Sequence, residues 1–324
     1  MGDYMSEIIL NLLPLREDER ERFLSAAPGL EQRFFPLIDF EGEPLSLSVP
    51  IPTEGVTAVL GNLSPSETAK LSTLRWLQTW TAGVDSYLLP GKLPEGAMLT
   101  SAVGAYGPAV SEHMFAALLT LFKRLHQYRD NQLAGIWENR GRVKTLVGAT
   151  VLVVGAGDIG TRFAALCKAV GAYTVGLKRT PCPPPPGLDE VHTIDELDLW
   201  LPKADVVALV LPHSPETIHL MDRRRFSLMK EDSVLLNGGR GSAVDPEALL
   251  EALRSGKLWG ASLDVTEPEP LPTDSPLWKE AGLLLTPHVA GGFQLQGTRE
   301  RIVDIALENL THFLDGEPLR NRMK

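Results

Sequence analysis

The stretch Val151-Leu152-Val153-Val154-Gly155-Ala156-Gly157-Asp158-Ile159-Gly160 decides the fold of this chain. Four apolar residues without polar alternation read as a strand buried on both faces. The glycines follow at once as G-x-G-x-x-G, and residues 161–169 continue as a helix. A bare G-x-G-x-x-G says little. A strand before it and a helix after it form the context in which such a turn holds a dinucleotide pyrophosphate. Gly155 makes the tight turn, Gly157 lets a phosphate approach the backbone, and Gly160 permits close helix–strand packing. The amides of Asp158 and Ile159 would face the phosphates at the positive end of the helix. The plainer alternative is a glycine-rich turn with no ligand.

The next strand, residues 174–177, should end in an acid that holds the ribose 2′-hydroxyl if the dinucleotide is NAD. Lys178-Arg179-Thr180 stands there instead. Two cations and a hydroxyl suit a 2′-phosphate, which selects NADP, with NAD kept as the alternative. A solvated Lys-Arg pair without a ligand would also leave this pattern.

Outward from this unit, apolar strand candidates alternate with polar helical ones along the whole chain. Strands are expected at 8–13, 56–60, 74–80, 206–211, 234–236, 260–264 and 283–286. Helices are expected at 17–26 and at 246–254, where Asp245 caps and Pro246 takes the first helical position. From Pro108, residues Val110, Met114, Ala117, Leu118, Leu121 and Leu125 recur at helical spacing. Residues 298–314 form a last helix, expected to pack back on the first domain. This alternation implies α/β architecture with parallel sheets covered on both faces.

With 324 residues, the chain has room for two cored domains. Its 31 basic and 41 acidic side chains leave a net charge of −10, which argues against nucleic acid or a membrane surface as partner. No run reaches the roughly 18 apolar residues of a membrane span. Gly2 with Ser6 fits a myristoylation pattern, but no second membrane signal accompanies it. Cys167 and Cys182, the two cysteines, make neither a disulfide framework nor a zinc site, so a reducing cytoplasm is expected and no metal. Cys167 reads as core. Residues 181–186, Pro-Cys-Pro-Pro-Pro-Pro, read as a stiff polyproline loop. His126, His192, His219 and His312 read as hydrogen-bonded or surface residues, and Glu267 as solvated.

Three further strands run into polar turns, where open α/β sheets bind ligands. These turns are Asn237-Gly238-Gly239-Arg240-Gly241, Asp264-Val265-Thr266-Glu267-Pro268-Glu269-Pro270, and Thr286-Pro287-His288-Val289-Ala290-Gly291. Arg240, Glu269 and His288 would supply an anion clamp, a carboxylate and a proton donor. Further pieces are Thr81-Ala82-Gly83-Val84-Asp85, Ala109-Val110-Ser111-Glu112-His113, Leu211-Pro212-His213-Ser214-Pro215-Glu216-Thr217 and Gly316-Glu317-Pro318-Leu319. As an ordered set they resemble the D-isomer-specific 2-hydroxyacid dehydrogenase family over nearly the whole chain.

The resemblance implies a Rossmann cofactor domain at 100–288, inserted into a flavodoxin-like substrate domain at 1–99 and 289–324. It implies His288 as acid/base, Glu269 as its carboxylate partner and Arg240 as the substrate-binding arginine. Ala82 and Gly83 become backbone donors to the substrate carboxylate, and Asp264 the residue that holds the nicotinamide carboxamide. Leu211, Pro212, Thr217, Gly238, Gly239 and Gly291 fall to the cofactor. His213 and Ser214 lie in the adenosine-side loop, where the family more often has no imidazole. The helix from Val110 and the arm ending at Trp137 resemble the dimerisation segment of a homodimer. The basic strand end is most similar to NADP-dependent glyoxylate and hydroxypyruvate reductases. An NAD-dependent phosphoglycerate or D-lactate dehydrogenase is the alternative within enzymes. A dinucleotide-sensing, corepressor-like binding protein is the alternative outside them.

Overall fold

The computed structural model describes residues 7–40, 42–46, 50–180, 182–293 and 295–324. The myristoylation pattern at Gly2 and Ser6, together with Pro181, lies outside the described residues. The chain divides into two compact units, Met1–Tyr106 with Gly292–Lys324, and Gly107–Gly291. These divisions fall several residues beyond the expected 99/100 and 288/289. The first follows a short extra strand, Met98–Thr100, and the second follows the polar turn after the last strand.

In the first unit, strands β1 (Ile8–Asn11), β2 (Glu31–Phe34), β3 (Val56–Leu60), β4 (Trp76–Gln78) and β5 (Met98–Thr100) form one parallel sheet. Its order is β2-β1-β3-β4-β5, the flavodoxin-like arrangement. Apolar cores lie on both faces, and Trp76 is fully buried, stacked on Phe313 at 5.0 Å. Phe313 belongs to the last helix, Gln296–Asp315, so that helix completes the first unit's core.

A buried ion pair anchors the same helix. Arg299 donates through two nitrogens to the two carboxylate oxygens of Glu19, at 2.6 and 2.7 Å, and both side chains are nearly inaccessible to water. Glu19 also accepts from the Arg16 amide at 2.8 Å, which closes the first turn of the helix Glu17–Ala26. Burial opposes the Glu19 charge, but the bonds and charges of Arg299 and Arg16 outweigh it and hold the carboxyl below its ordinary 4.5.

The second unit carries β6 (Thr150–Val154), β7 (Tyr173–Lys178), β8 (Glu190–Thr193), β9 (Val206–Leu209), β10 (Ser233–Asn237), β11 (Leu258–Leu263) and β12 (Leu283–Leu285). They form a parallel sheet of order β12-β11-β10-β9-β6-β7-β8. Strand order reverses between β6 and β9, where open parallel sheets bind ligands beyond their carboxyl ends. Asp245 caps the helix Pro246–Arg254 as expected, accepting from the amides of Glu247 and Ala248. Cys167 is fully buried, and burial pushes its thiol up to about 12. Strands β2, β5 and β8 were not expected from the sequence. Strand β9 ends at Leu209, two residues short of the expected 211.

Removing Arg299 strands a buried carboxylate. Arg299→Met should lower the stability of the first unit by about 3–5 kcal/mol, read from denaturant unfolding. Because the Glu19 carboxyl is depressed, the wild-type pair contributes fully above pH 4.5 and loses its contribution as the pH falls through the lower folded value. The wild-type advantage over Arg299→Met should therefore shrink in acid; an advantage constant with pH would refute the pair.

Candidate active site

Within the second unit, each polar turn singled out by sequence leaves the carboxyl end of a strand. After β6, Gly155 has φ +101°, and a Cβ there would stand 2.3 Å from the Val210 carbonyl oxygen. A Cβ on Gly160 would stand 2.4 Å from the Gly155 carbonyl oxygen and 2.8 Å from a Val153 methyl. Gly157 differs: a Cβ there would meet nothing within 4 Å. Steric contact thus demands glycine at 155 and 160, whereas at 157 the space beside the backbone is open.

The helix begins at Asp158, inside the glycine motif rather than at 161. Gly157 is its N-cap and supplies no side-chain cap, and the first-turn amides of Asp158, Ile159 and Gly160 have no intrahelical acceptor. That is the donor set a pyrophosphate needs. Asp158 would oppose an anion, but Arg162 pairs with its carboxylate at 2.8 Å.

Lys178 ends β7, half-buried, with its ammonium 3.6 Å from the Cys182 sulfur. Arg179 and Thr180 are exposed beyond it. The Ser214 hydroxyl, the Glu216 backbone amide and, more weakly, the Arg179 charge hold the Glu216 carboxyl below its ordinary value. Thr217 staples the turn after β9, donating to the Pro212 carbonyl and accepting from the Ser214 amide, both at 2.9 Å. His213 bonds Ser242 at 2.8 Å, a partner the sequence did not suggest. Of the proline run, the described part ends in a turn closed by the Leu188 amide on the Pro185 carbonyl at 3.1 Å.

After β10, the buried Asn237 shapes the turn before Arg240. Its Oδ1 accepts from the Gly239 amide at 3.1 Å and its Nδ2 donates to the Arg240 carbonyl at 2.9 Å. A Cβ on Gly238 would press on the Met114 sulfur, and one on Gly239 would fall 2.6 Å from the Leu211 amide. The Arg240 guanidinium donates to the Gly239 carbonyl at 2.8 Å. Asn237 went unassigned in the sequence reading, although an asparagine closing a fully apolar strand is the signal that could have found it.

Strands β11 and β12 bring together Asp264, Glu269 and His288. His288 Nδ1 lies 2.6 Å from Glu269 Oε1. Donation from Nδ1 to the carboxylate orients the ring and leaves Nε2 as the nitrogen for a reacting group. His288 has φ +53°, a left-handed backbone costly for a residue with a Cβ. Asp264 sustains it: its carbonyl accepts from the His288 amide at 2.8 Å. Its carboxylate, almost fully buried, accepts from the Thr286 hydroxyl at 2.6 Å, the Val289 amide at 3.0 Å and the Ala290 amide at 3.1 Å. Among the described residues the bonds of Asp264 thus run to the His288 turn. Gly291 closes that turn, half-buried.

Glu267 is exposed, as expected, and lies 3.0 Å from His219 Nε2. His192 sits between Glu190 and Glu196 at 2.6 and 3.0 Å, a surface network as expected. In the first unit, the Thr81 hydroxyl accepts from Asn62 Nδ2 at 3.2 Å and donates to the Gly83 carbonyl at 2.9 Å. Among the described residues, the amides of Ala82 and Gly83 take no acceptor within their own unit. No helix of the described residues is long and apolar enough to cross a membrane.

Residues 115–290 match the family described as D-isomer specific 2-hydroxyacid dehydrogenase, NAD binding domain. The chain is 31% identical to a glyoxylate reductase of Thermofilum pendens over 252 residues, 75% of this chain and 73% of that one. A crystal structure of a D-isomer specific 2-hydroxyacid dehydrogenase family protein from Aeromonas salmonicida superposes with a TM-score of 0.80 at 32% identity, over 98% of this chain and 99% of that one. An NADPH-dependent glyoxylate/hydroxypyruvate reductase from Sinorhizobium meliloti, in complex with NADP and sulfate, gives 0.78 at 25% identity, over 98% of each chain. With the glycine turn, the basic strand end and the His288–Glu269 pair gathered at one edge of one sheet, this chain belongs to the D-isomer specific 2-hydroxyacid dehydrogenases, oxidoreductases of CH–OH groups with an NAD(P)-binding domain.

Proposed function

We propose that the protein reduces small 2-keto acids of the glyoxylate and hydroxypyruvate type to D-2-hydroxy acids, with NADPH as the cofactor. The observation that carries this reading is the 2.6 Å bond between His288 Nδ1 and Glu269, on adjacent turns of the unit that holds the glycine turn. Gly155, Gly157, Asp158, Ile159 and Gly160 take the pyrophosphate, and Lys178, Arg179 and Thr180 take the 2′-phosphate. Leu211, Pro212, Thr217, Gly238, Gly239, Asp264 and Gly291 complete the cofactor's surroundings. When bound there, NADPH would supply the hydride for the keto carbon.

The protein's own groups do the rest. Arg240 holds the substrate carboxylate and polarises the keto oxygen, a task suited to a planar guanidinium. His288 Nε2 gives its proton to the keto oxygen, and Glu269 offsets the imidazolium charge that precedes the transfer. The exposed apolar side chains of Leu133, Ile136 and Trp137 support a homodimer through the cofactor-binding unit. A cytoplasmic setting agrees with the free thiols of Cys167 and Cys182.

Turnover of NADPH with glyoxylate and with hydroxypyruvate, beside NADH, tests the proposal directly. Tight NADPH binding without turnover of any 2-keto acid would favour a sensor. His288→Asn should lower kcat by about 10²–10⁴ with NADPH binding nearly unchanged, as for loss of a positioned acid; an unchanged kcat would remove the acid assignment.

The three glycines predict a split between folding and binding. Gly160→Ala should destabilise the second unit, because its methyl has no space. Gly157→Ala should fold normally yet weaken NADPH binding by more than about tenfold, since its methyl enters the space meant for phosphate. Calorimetric melting and cofactor fluorescence titration separate the two effects, and normal NADPH affinity in Gly157→Ala would contradict the pyrophosphate site.

Cofactor choice rests on the basic strand end. Charge-assisted bonds are worth roughly 1.5–3 kcal/mol each before screening, so wild-type kcat/KM should favour NADPH over NADH by about 10²-fold. Lys178→Asp with Arg179→Ala should reverse this, chiefly by raising KM for NADPH. A wild-type preference for NADH would overturn the NADP reading and leave the dehydrogenase reading standing.

A further inference from the structure

His113 lies in the helix Gly107–Phe122, far in sequence from every turn described above, yet its ring reaches the turn that carries His288. Its Nε2 lies 3.1 Å from the Thr286 hydroxyl oxygen and 3.8 Å from Asp264 Oδ1. The direction of these bonds follows from counting hydrogens. A threonine hydroxyl has one proton, and at 2.6 Å from the Asp264 carboxylate, which can only accept, Thr286 spends it there. Nε2 of His113 must therefore donate to Thr286. The chain runs in one direction: His113 Nε2–H to Thr286 Oγ1, then Thr286 O–H to Asp264 Oδ1.

We infer that His113 is a positioning residue for the proposed acid His288, acting through Thr286 and Asp264. The inference rests on the reading of His288 as the proton donor. The same Asp264 carboxylate that receives the Thr286 proton accepts the amides of Val289 and Ala290, and the Asp264 carbonyl accepts that of His288. Asp264 therefore holds the turn on both sides of His288, the residue with φ +53°. A conformation that strained persists only where its surroundings over-determine it.

His113 contributes by fixing the rotamer of Thr286. Without a donor on its oxygen, the hydroxyl can turn to other staggered positions and release one of the bonds to Asp264 Oδ1. The imidazole sits on a helix that also packs on the next turn of the site, where Gly238 abuts Met114, one residue along from His113. The side chain is about a quarter exposed, so it adds little to the core, and its partners are the groups that hold the acid's turn.

Four variants test this with glyoxylate and NADPH: His113→Ala, His113→Gln, Thr286→Val and the double variant His113→Ala/Thr286→Val, with His288→Asn as reference. Displacing a catalytic group by about 1 Å costs up to about 10²-fold, so kcat in His113→Ala and in Thr286→Val should fall by about ten- to a hundredfold. The dissociation constant for NADPH, set mainly at the glycine turn and the basic strand end, should change by less than about threefold. His113→Gln keeps an N–H donor of similar reach and should restore most of kcat. The double variant should be no worse than the poorer single one, because both break the same chain. Thr286→Val conserves shape, so it reports even if His113→Ala folds poorly.

A normal kcat in His113→Ala or Thr286→Val beside an impaired His288→Asn would overturn this inference alone. So would additive losses, or a loss that glutamine does not rescue. A normal kcat in His288→Asn would remove the acid reading, and this inference with it.

Discussion

The second unit depends on how closely one helix can approach one strand. The helix Asp158–Ala169 starts against the carboxyl end of β6, and a Cβ at Gly160 would lie 2.4 Å from the Gly155 carbonyl oxygen. Because neither glycine has a side chain, the helix begins within the turn itself. Its uncapped amides then lie next to the strand end where the sheet's order reverses. Had the helix started a turn later, as residues 161–169 alone suggested, its positive end would stand away from the open space beside Gly157. One steric contact thereby fixes where these amides stand. The parallel sheet then fixes where the other turns emerge, since all its strands end on the same edge.

At that edge, short buried polar residues convert strand ends into shaped turns. Asn237 closes β10 and satisfies the Gly239 amide and the Arg240 carbonyl; Asp264 follows β11 and satisfies three donors in the turn after β12. A buried polar atom must be bonded, so each such residue dictates the path of the backbone around it. The half-exposed groups, His288 and Glu269, are thus mounted on turns whose geometry they do not themselves set. Placement and chemistry are carried by different side chains.

The first unit solves a different problem, the return of the last helix to a sheet built from the chain's first third. Phe313 stacking on Trp76 supplies apolar burial, and the Glu19–Arg299 pair supplies direction. A bidentate pair permits little sliding of one helix along another, which apolar contact alone would allow. Because breaking such a pair strands a charge, it penalises misplacement of the helix.

Much of this was legible in order along the chain. Buried strands appear as mainly apolar runs, so β1, β3, β4, β6, β7, β9, β10, β11 and β12 were all anticipated. The glycine motif, the Asp245 cap and the polar turns carrying Arg240, Glu269 and His288 follow from local residue types as well. The strands left unread, β2, β5 and β8, all lie at sheet edges. Edge strands are paired on one side and shielded less fully, so Glu31-Gln32-Arg33-Phe34 and Glu190-Val191-His192-Thr193 need no apolar run. Bonds between residues distant in sequence were equally invisible. Neither the partnership of Arg299 with Glu19 nor that of His113 with Thr286 leaves any spacing in the chain, and Asp264 gave no sign that its carboxylate would be bound to the His288 turn. Local sequence determines which residues can form an element or perform a chemistry, because propensity and side-chain type act over a few residues. Which polar atoms meet is decided only when the sheets assemble, because satisfying a buried donor or acceptor is a condition on three-dimensional neighbours.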